Sequence, residues 1–138
     1  MLKAIIVTAL VVALGGASAA AQEVVTSTVL LQTERTNTGH PLAYPQTDTP
    51  EITTMIVEIA PGGSTVRHSH PYPSHAYILE GSLEVVAEGG VRNRYEAGDA
   101  FLETVGTVHQ GFNVGEGPVR ILVTYLGVKG EANTQPAE

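Results

Sequence analysis

The chain has 138 residues, with 7 Lys and Arg against 14 Asp and Glu and a formal net charge of −7 at pH 7. This length fits a single domain. The absence of Cys excludes disulfide bonds, a Cys-based zinc site and a thiol nucleophile. The acidic balance and the scattered basic residues argue against nucleic-acid binding, because phosphates need clustered Lys and Arg.

Residues 1–21 have the layout of a secretory signal peptide. Lys3 precedes an apolar stretch, Ala4–Leu14, and small residues follow it. The stretch is too short for a membrane span, which needs about 20 apolar residues. We expect cleavage after Ala21, with Ala19 as the other site and an uncleaved anchor helix as the alternative. The mature protein is then periplasmic or secreted.

Residues 22–50 are predicted to form an N-terminal strand followed by an irregular arm. Val24–Leu31 is rich in β-branched residues and predicts the strand. Gln32–Pro50 is polar and contains several prolines, which predicts the irregular arm. His40 lies in this arm, and we expect it at the surface.

Residues 51–127 alternate short β-prone segments with Gly- and Pro-containing turns, which indicates an all-β sandwich or barrel. No part of the mature chain has a sustained helical period. The predicted strands are Glu51–Ala60, His75–Glu80, Leu83–Ala87, Val91–Tyr95, Ala100–Glu103, Thr107–Asn113 and Val119–Leu126. Residues 128–138 form a polar tail that we expect to fray.

Two histidines two residues apart indicate a candidate metal site. His68 and His70 lie on an extended segment, so both imidazoles face the same way, about 7 Å apart along the strand. A third ligand has to come from a neighbouring strand, and His109 is the candidate. Imidazole suits Fe, Mn, Zn, Ni and Cu to different degrees, so a divalent transition metal is expected. The alternative is that these histidines only bond the backbone.

The spacing of glycines and histidines resembles the two motifs of the cupin superfamily. The first stretch is Gly62-x5-His68-x-His70, followed by a strand and Gly81; the second is Gly98-x5-Thr104-x-Gly106-x2-His109-x3-Asn113. Thr104 stands where the second motif has Pro. The resemblance covers about residues 51–126, and the chain looks like a small exported single-domain cupin of type 2. It implies a single-domain cupin-type β-barrel, or jelly roll, with a metal inside.

The first motif departs from the family at the Glu that usually serves as fourth ligand. Counting back from Gly81 gives Ser74, and counting forward from His70 gives His75, so neither position is a carboxylate. His75 either replaces the Glu or faces outward, depending on strand register. The open alternatives are a three-histidine site, a four-histidine site that includes His75, and a metal-free pocket lined by histidines.

Two further residues near the second motif have candidate roles. Glu103 either orients an imidazole or is a solvated strand residue, and the sequence favours the solvated position. Asn113 is expected to tie down the backbone near the motif. No catalytic residue besides the histidines is evident.

Such a site implies a small metal-dependent oxygenase or related oxidoreductase acting on a small organic molecule. The alternatives are a non-catalytic cupin that binds a metabolite or metal, and an isomerase or lyase. The resemblance also suggests a homodimer. Fold alone does not separate these functions.

Overall fold

A computed structural model describes residues 25–138, which form nine β-strands and no helix. The strands are β1 (Pro50–Ile59), β2 (His68–Ser69), β3 (Ser74–Glu80), β4 (Ser82–Ala87), β5 (Arg92–Glu96), β6 (Ala100–Leu102), β7 (His109–Asn113), β8 (Val119–Val128) and β9 (Gln135–Pro136). The expected all-β class is confirmed. The predicted signal peptide, residues 1–21, lies outside the described residues and stays a prediction.

The strands form two antiparallel sheets. The first has the order β1-β8-β3-β6, and the second has the order β5-β4-β7-β2-β9. The longest pairing joins β1 and β8 along their whole length, from Pro50 opposite Val128 to Ile59 opposite Val119. Strands distant in sequence therefore lie side by side, and the pairing of β2 with β7 brings the two predicted motifs together.

The hydrophobic core lies between the sheets. Alternate residues of β8 are buried, as expected for a strand with one face turned inward. Its inward residues, including Ile121 and Val123, pack in one cluster with Leu83 and Val85 of β4. The resulting pair of sheets provides a rigid support for side chains that point between them.

Asn113 fastens the loops at one end of this core, as the sequence predicted. Its Nδ2 donates hydrogen bonds to the backbone carbonyls of Ile59, Ala60 and Gly117, at 3.0, 3.1 and 2.8 Å. Its Oδ1 accepts from the Gly115 amide. One buried amide side chain thus satisfies four backbone groups in two chain segments, residues 59–60 and 115–117.

The chain termini differ from the sequence-based expectation. The prediction of a strand over Val24–Leu31 is wrong for residues 25–31, which pair with no other strand. The polar tail is not frayed, because its β9 pairs with β2 and the Ala137 amide donates to the Arg67 carbonyl. Nothing between residues 25 and 138 is a helix that could cross a membrane.

Candidate metal centre

Three histidines meet on the inner face of the second sheet. His68 on β2 is directly opposite His109 on β7, and His70 follows two residues later on the same face. One ring nitrogen from each lies within 4.8 Å of the other two. All three residues are buried. The sequence-predicted trio is therefore brought together, although β2 and β7 are about 40 residues apart along the chain.

Backbone carbonyls fix the tautomer of each ring. The Nδ1 atoms of His68, His70 and His109 lie 2.7, 2.8 and 2.9 Å from the carbonyl oxygens of Val66, Asn133 and Thr107. A carbonyl oxygen only accepts, so each Nδ1 carries the proton and donates it. In the neutral ring, Nε2 then presents its lone pair to the cluster. This is the arrangement in which protein histidines bind metal ions.

The buried Nε2 of His109 has no hydrogen-bond partner in the described part of the chain. Leaving a buried polar nitrogen unsatisfied costs about 1–3 kcal/mol. A transition-metal ion accepts neutral imidazole nitrogens and would satisfy this atom together with its two neighbours. The donor set therefore fits a divalent transition metal.

Glu103, which directly follows β6, also reaches the histidines. Its Oε2 lies 3.0 Å from His70 Nε2, and its Oε1 lies 4.0 Å from His109 Nε2. Ser74 donates a hydrogen bond of 2.6 Å to Oε2. Only 14% of this side chain is exposed, so the expectation of a solvated strand residue is wrong. One feature of the sequence could have pointed to Glu103. The position where the first motif would carry its Glu is Ser74, and the hydroxyl of Ser74 is the group that hydrogen-bonds the Glu103 carboxylate.

The pKa values of Glu103 and the neighbouring histidines depend on one another. Burial alone would raise the pKa of Glu103, but the hydrogen bond and charge of His70 and the Ser74 hydroxyl lower it to about 2. Burial of the ring lowers the pKa of His70. The hydrogen bond to Glu103 and the negative charge of that carboxylate outweigh burial, so the pKa of His70 is raised. Burial lowers the pKa of His68, and its histidine neighbours lower it further. The site therefore combines a firmly ionised carboxylate with a histidine kept neutral at pH 7.

The two remaining histidines lie away from the cluster. His75 is on β3 between Ser74 and Ala76, which are both fully buried, so alternation turns His75 to the outer face. His40 is exposed in the arm, as expected. Of the ligand sets left open by the sequence, the geometry favours His68, His70 and His109 without His75.

A cavity of about 280 Å³ opens beside the three histidines, between the two sheets. Most of its wall surface is apolar, and Met55, Val57, Leu83 and Val123 are among the lining residues. None of the lining residues, which all belong to the described range 25–138, is Lys or Arg. The cavity thus combines a largely apolar wall with one cluster of polar groups, the three histidines and Glu103, which is the usual design of a small-molecule site.

Comparisons with known proteins agree with the fold and the predicted motifs. The model of the family described as "Cupin domain" matches residues 55–125. The chain is 39% identical over 67 residues to the tetracenomycin polyketide synthase protein TcmJ of Streptomyces glaucescens, covering 48% of this chain and 44% of that one. It is 30% identical over 88 residues to germin-like protein 1-1 of Oryza sativa subsp. japonica, covering 60% and 41%.

Solved structures share the fold. An oxalate decarboxylase of Lactobacillus farciminis, in complex with formate, superposes with a TM-score of 0.55 at 24% identity, over 62% of this chain and 26% of the other. The chain spans less than half the length of the curated relatives that it matches.

Proposed function

Because the chain belongs to the cupin family, we propose that it is an exported, metal-dependent oxidoreductase that acts on a small organic molecule. The observation that carries this proposal is the convergence of His68, His70 and His109, each with Nδ1 bonded to a backbone carbonyl. A divalent transition metal bound there supplies a Lewis acid or an oxygen-activating centre. Fe, Mn, Zn, Ni and Cu all accept imidazole ligands.

The cavity supports a small, uncharged and largely apolar substrate. Its largely apolar wall would exclude water and hold the carbon skeleton beside the cluster of polar groups. Glu103 adds a negative charge, and no Lys or Arg among the described lining residues offsets it. A dianion such as oxalate would therefore find no Lys or Arg in the described wall, and only the metal ion itself could balance its charge.

Tyr125 is a candidate for orienting the substrate. It lines the cavity, and its ring centre lies 5.4 Å from that of His70. Burial raises the pKa of the Tyr125 hydroxyl, so the group stays protonated and can donate a hydrogen bond to a substrate oxygen. The 39% identical relative is named as a polyketide synthase protein, and a carbon-rich, oxygen-bearing molecule suits this cavity.

Oxygen uptake tests the proposed activity. The protein is loaded with Fe(II) or Mn(II) and offered a catechol, a flavonol, a thiol and oxalate. We expect uptake with at least one of the first three and none with oxalate. Loss of uptake in H68A/H70A, but not in H75A, would support the assignment of the site. No uptake with any metal and substrate would contradict it.

A non-catalytic binding module is the second candidate. It is favoured by the scarcity of proton-transferring groups, since Glu103 and Tyr125 are the ionisable side chains besides histidine in the described cavity wall. In this case the metal-loaded protein binds a small apolar ligand without turnover. Unchanged ligand after prolonged incubation, with saturable binding by calorimetry, would favour the module over the enzyme.

Export is a separate part of the proposal and rests on residues 1–21 alone. We expect the mature chain to begin at Gln22, after cleavage at Ala21. Mass spectrometry of the protein from the producing cells tests this, and an intact Met1 would contradict it. A homodimer remains the expected assembly, which light scattering can measure.

A further inference from the structure

Glu103 is the one carboxylate in the described cavity wall, and its position differs from that of an ordinary surface acid. It directly follows β6, the edge strand of the first sheet, and its backbone amide donates to the carbonyl of Ser74 on β3 at 2.9 Å. The Ser74 hydroxyl donates to Oε2. Ser74 itself is fully buried. Backbone and side chain of one buried residue therefore hold this carboxylate against the histidines.

The contact between Glu103 Oε2 and His70 Nε2 brings together two hydrogen-bond acceptors when the imidazole is neutral. His70 donates from Nδ1 to the Asn133 carbonyl, so the neutral ring has only a lone pair at Nε2. That lone pair faces Glu103 Oε2 at 3.0 Å. Such a pair is stable only when a positive charge lies between or beside the two atoms. A proton on Nε2 can supply that charge, and so can a metal ion bound by both groups.

The second contact favours the metal ion. His109 Nε2 lies 4.0 Å from Glu103 Oε1, which is too far for a hydrogen bond. Two atoms that each lie about 2.1 Å from one metal ion are at most about 4.2 Å apart. The separations between the Glu103 oxygens and the two Nε2 atoms, 3.0 and 4.0 Å, both fall within that limit, so a single ion could contact the carboxylate and both rings. A proton on His70 would leave His109 Nε2 unsatisfied.

Charge balance gives a second reason. An ionised carboxylate buried without a compensating charge is strongly unfavourable. The lining residues in the described range contain no Lys or Arg that could balance Glu103. A divalent cation shared with the three histidines neutralises it inside the cavity.

From this geometry we propose that Glu103 is the fourth protein ligand of the metal. The first motif lacks a carboxylate on β3, and Glu103 supplies one from the end of the neighbouring strand β6. The hydrogen bond from Ser74 orients this carboxylate toward the histidines. This inference rests on the metal centre of the proposed function. It predicts a site of three imidazoles and one carboxylate, in which Glu103 offsets part of the metal charge.

Metal binding by matched variants tests the assignment. Glu103→Gln keeps the shape and still accepts a bond from Ser74, so it removes mainly the charge. We expect its Kd for Mn(II) to rise at least about 100-fold, because outer partners of metal ligands already contribute 10–100-fold. Glu58→Gln is the control, since Glu58 is an exposed partner of Arg120, and its Kd should equal that of the wild type.

Infrared difference spectra separate a ligand from a merely structural neighbour. Adding Mn(II) to the wild type should shift a carboxylate band, and this shift should be absent in E103Q. The double variant S74E/E103S returns the carboxylate to β3, and we expect it to regain affinity and the band shift. It also keeps the test decisive if E103Q fails to fold.

The outcomes distinguish this inference from the proposed function. A wild-type protein that binds none of the transition metals overturns both. Wild-type binding with the same Kd and the same carboxylate shift in E103Q overturns only the role of Glu103. The three-histidine centre then stands by itself, and Glu103 is an ion-pair partner of His70.

Discussion

His68 and His109 are direct partners across the antiparallel pair of β2 and β7. Their ring centres lie 4.5 Å apart, and the His70 ring lies 4.8 and 5.0 Å from them. The pairing of two short strands therefore decides whether the cluster exists. A one-residue slip would turn either imidazole to the opposite face of its sheet.

Removing a clustered histidine should remove the metal. We expect His109→Ala to lower the metal content from about one equivalent to a small fraction, because the loss of one of three imidazoles exposes the ion to water. Elemental analysis of the purified variants measures this. His40→Ala and His75→Ala are matched controls that should keep the wild-type content. Equal metal in H109A and H75A would contradict the assignment.

The C-terminal tail should support metal binding indirectly. The Asn133 carbonyl orients His70, and β9 pairs with β2 beside the cluster. Deleting residues 131–138 removes both, and we expect metal affinity to fall about 10–100-fold, as for other partners that orient metal ligands. Competition with a chelating dye gives the Kd. Unchanged affinity in a folded, truncated protein would show that the tail has no such role.

The stability of the metal-free protein should depend on pH through Glu103. Its pKa is about 2 in the folded chain, below the ordinary 4.5. A lowered pKa stabilises the folded state fully above pH 4.5, and this contribution is lost as the pH falls toward 2. The free energy of unfolding, measured with urea, should therefore drop more steeply in acid for the wild type than for E103Q. Parallel curves would contradict the ion pair.

Asn113 should be a major stabilising residue. Asn113→Ala leaves three backbone carbonyls without their side-chain donor, and we expect a loss of about 2–4 kcal/mol in the free energy of unfolding. Asn93→Ala is a useful control, because Asn93 donates to one carbonyl, that of Asn37, and should cost about 1 kcal/mol. Urea denaturation of both variants checks the difference, and equal losses would refute this account.

Gly81 should tolerate a side chain less well than Gly98. Both have a positive φ, 84° and 97°, so alanine at either position is strained by about 1–2 kcal/mol. A Cβ at Gly81 would also overlap the Pro118 carbonyl oxygen, whereas Gly98 faces open space. Thermal unfolding should therefore show a larger drop in Tm for G81A than for G98A. The reverse order would contradict the described turn.

The strands and the histidine trio were predictable because each depends on a local regularity. Alternation along one strand placed His68 and His70 on one face, and the second motif marked His109. The same alternation could not decide which face of β3 His75 occupies. Pro71 and Pro73 interrupt the extended backbone before β3, so the register of β3 could not be read from the sequence. The burial of Ser74 and Ala76 on either side of His75 shows that register.

Glu103 and the tail could not be predicted because tertiary pairing determines their positions. Glu103 follows β6, where the sequence looks like a solvent-exposed strand end, and its burial depends on β3 lying alongside. Gln135–Pro136 has little strand propensity, yet β2 offers it an open edge. Conversely, residues 25–31 are β-prone but find no strand to pair with in the described chain.

Anomalous X-ray diffraction from crystals grown with Mn(II) tests the metal centre most directly. We predict one strong peak at the Mn absorption edge within bonding distance of Nε2 of His68, His70 and His109. No anomalous density at the three rings, or a peak bound elsewhere on the chain, would contradict a metal-dependent function.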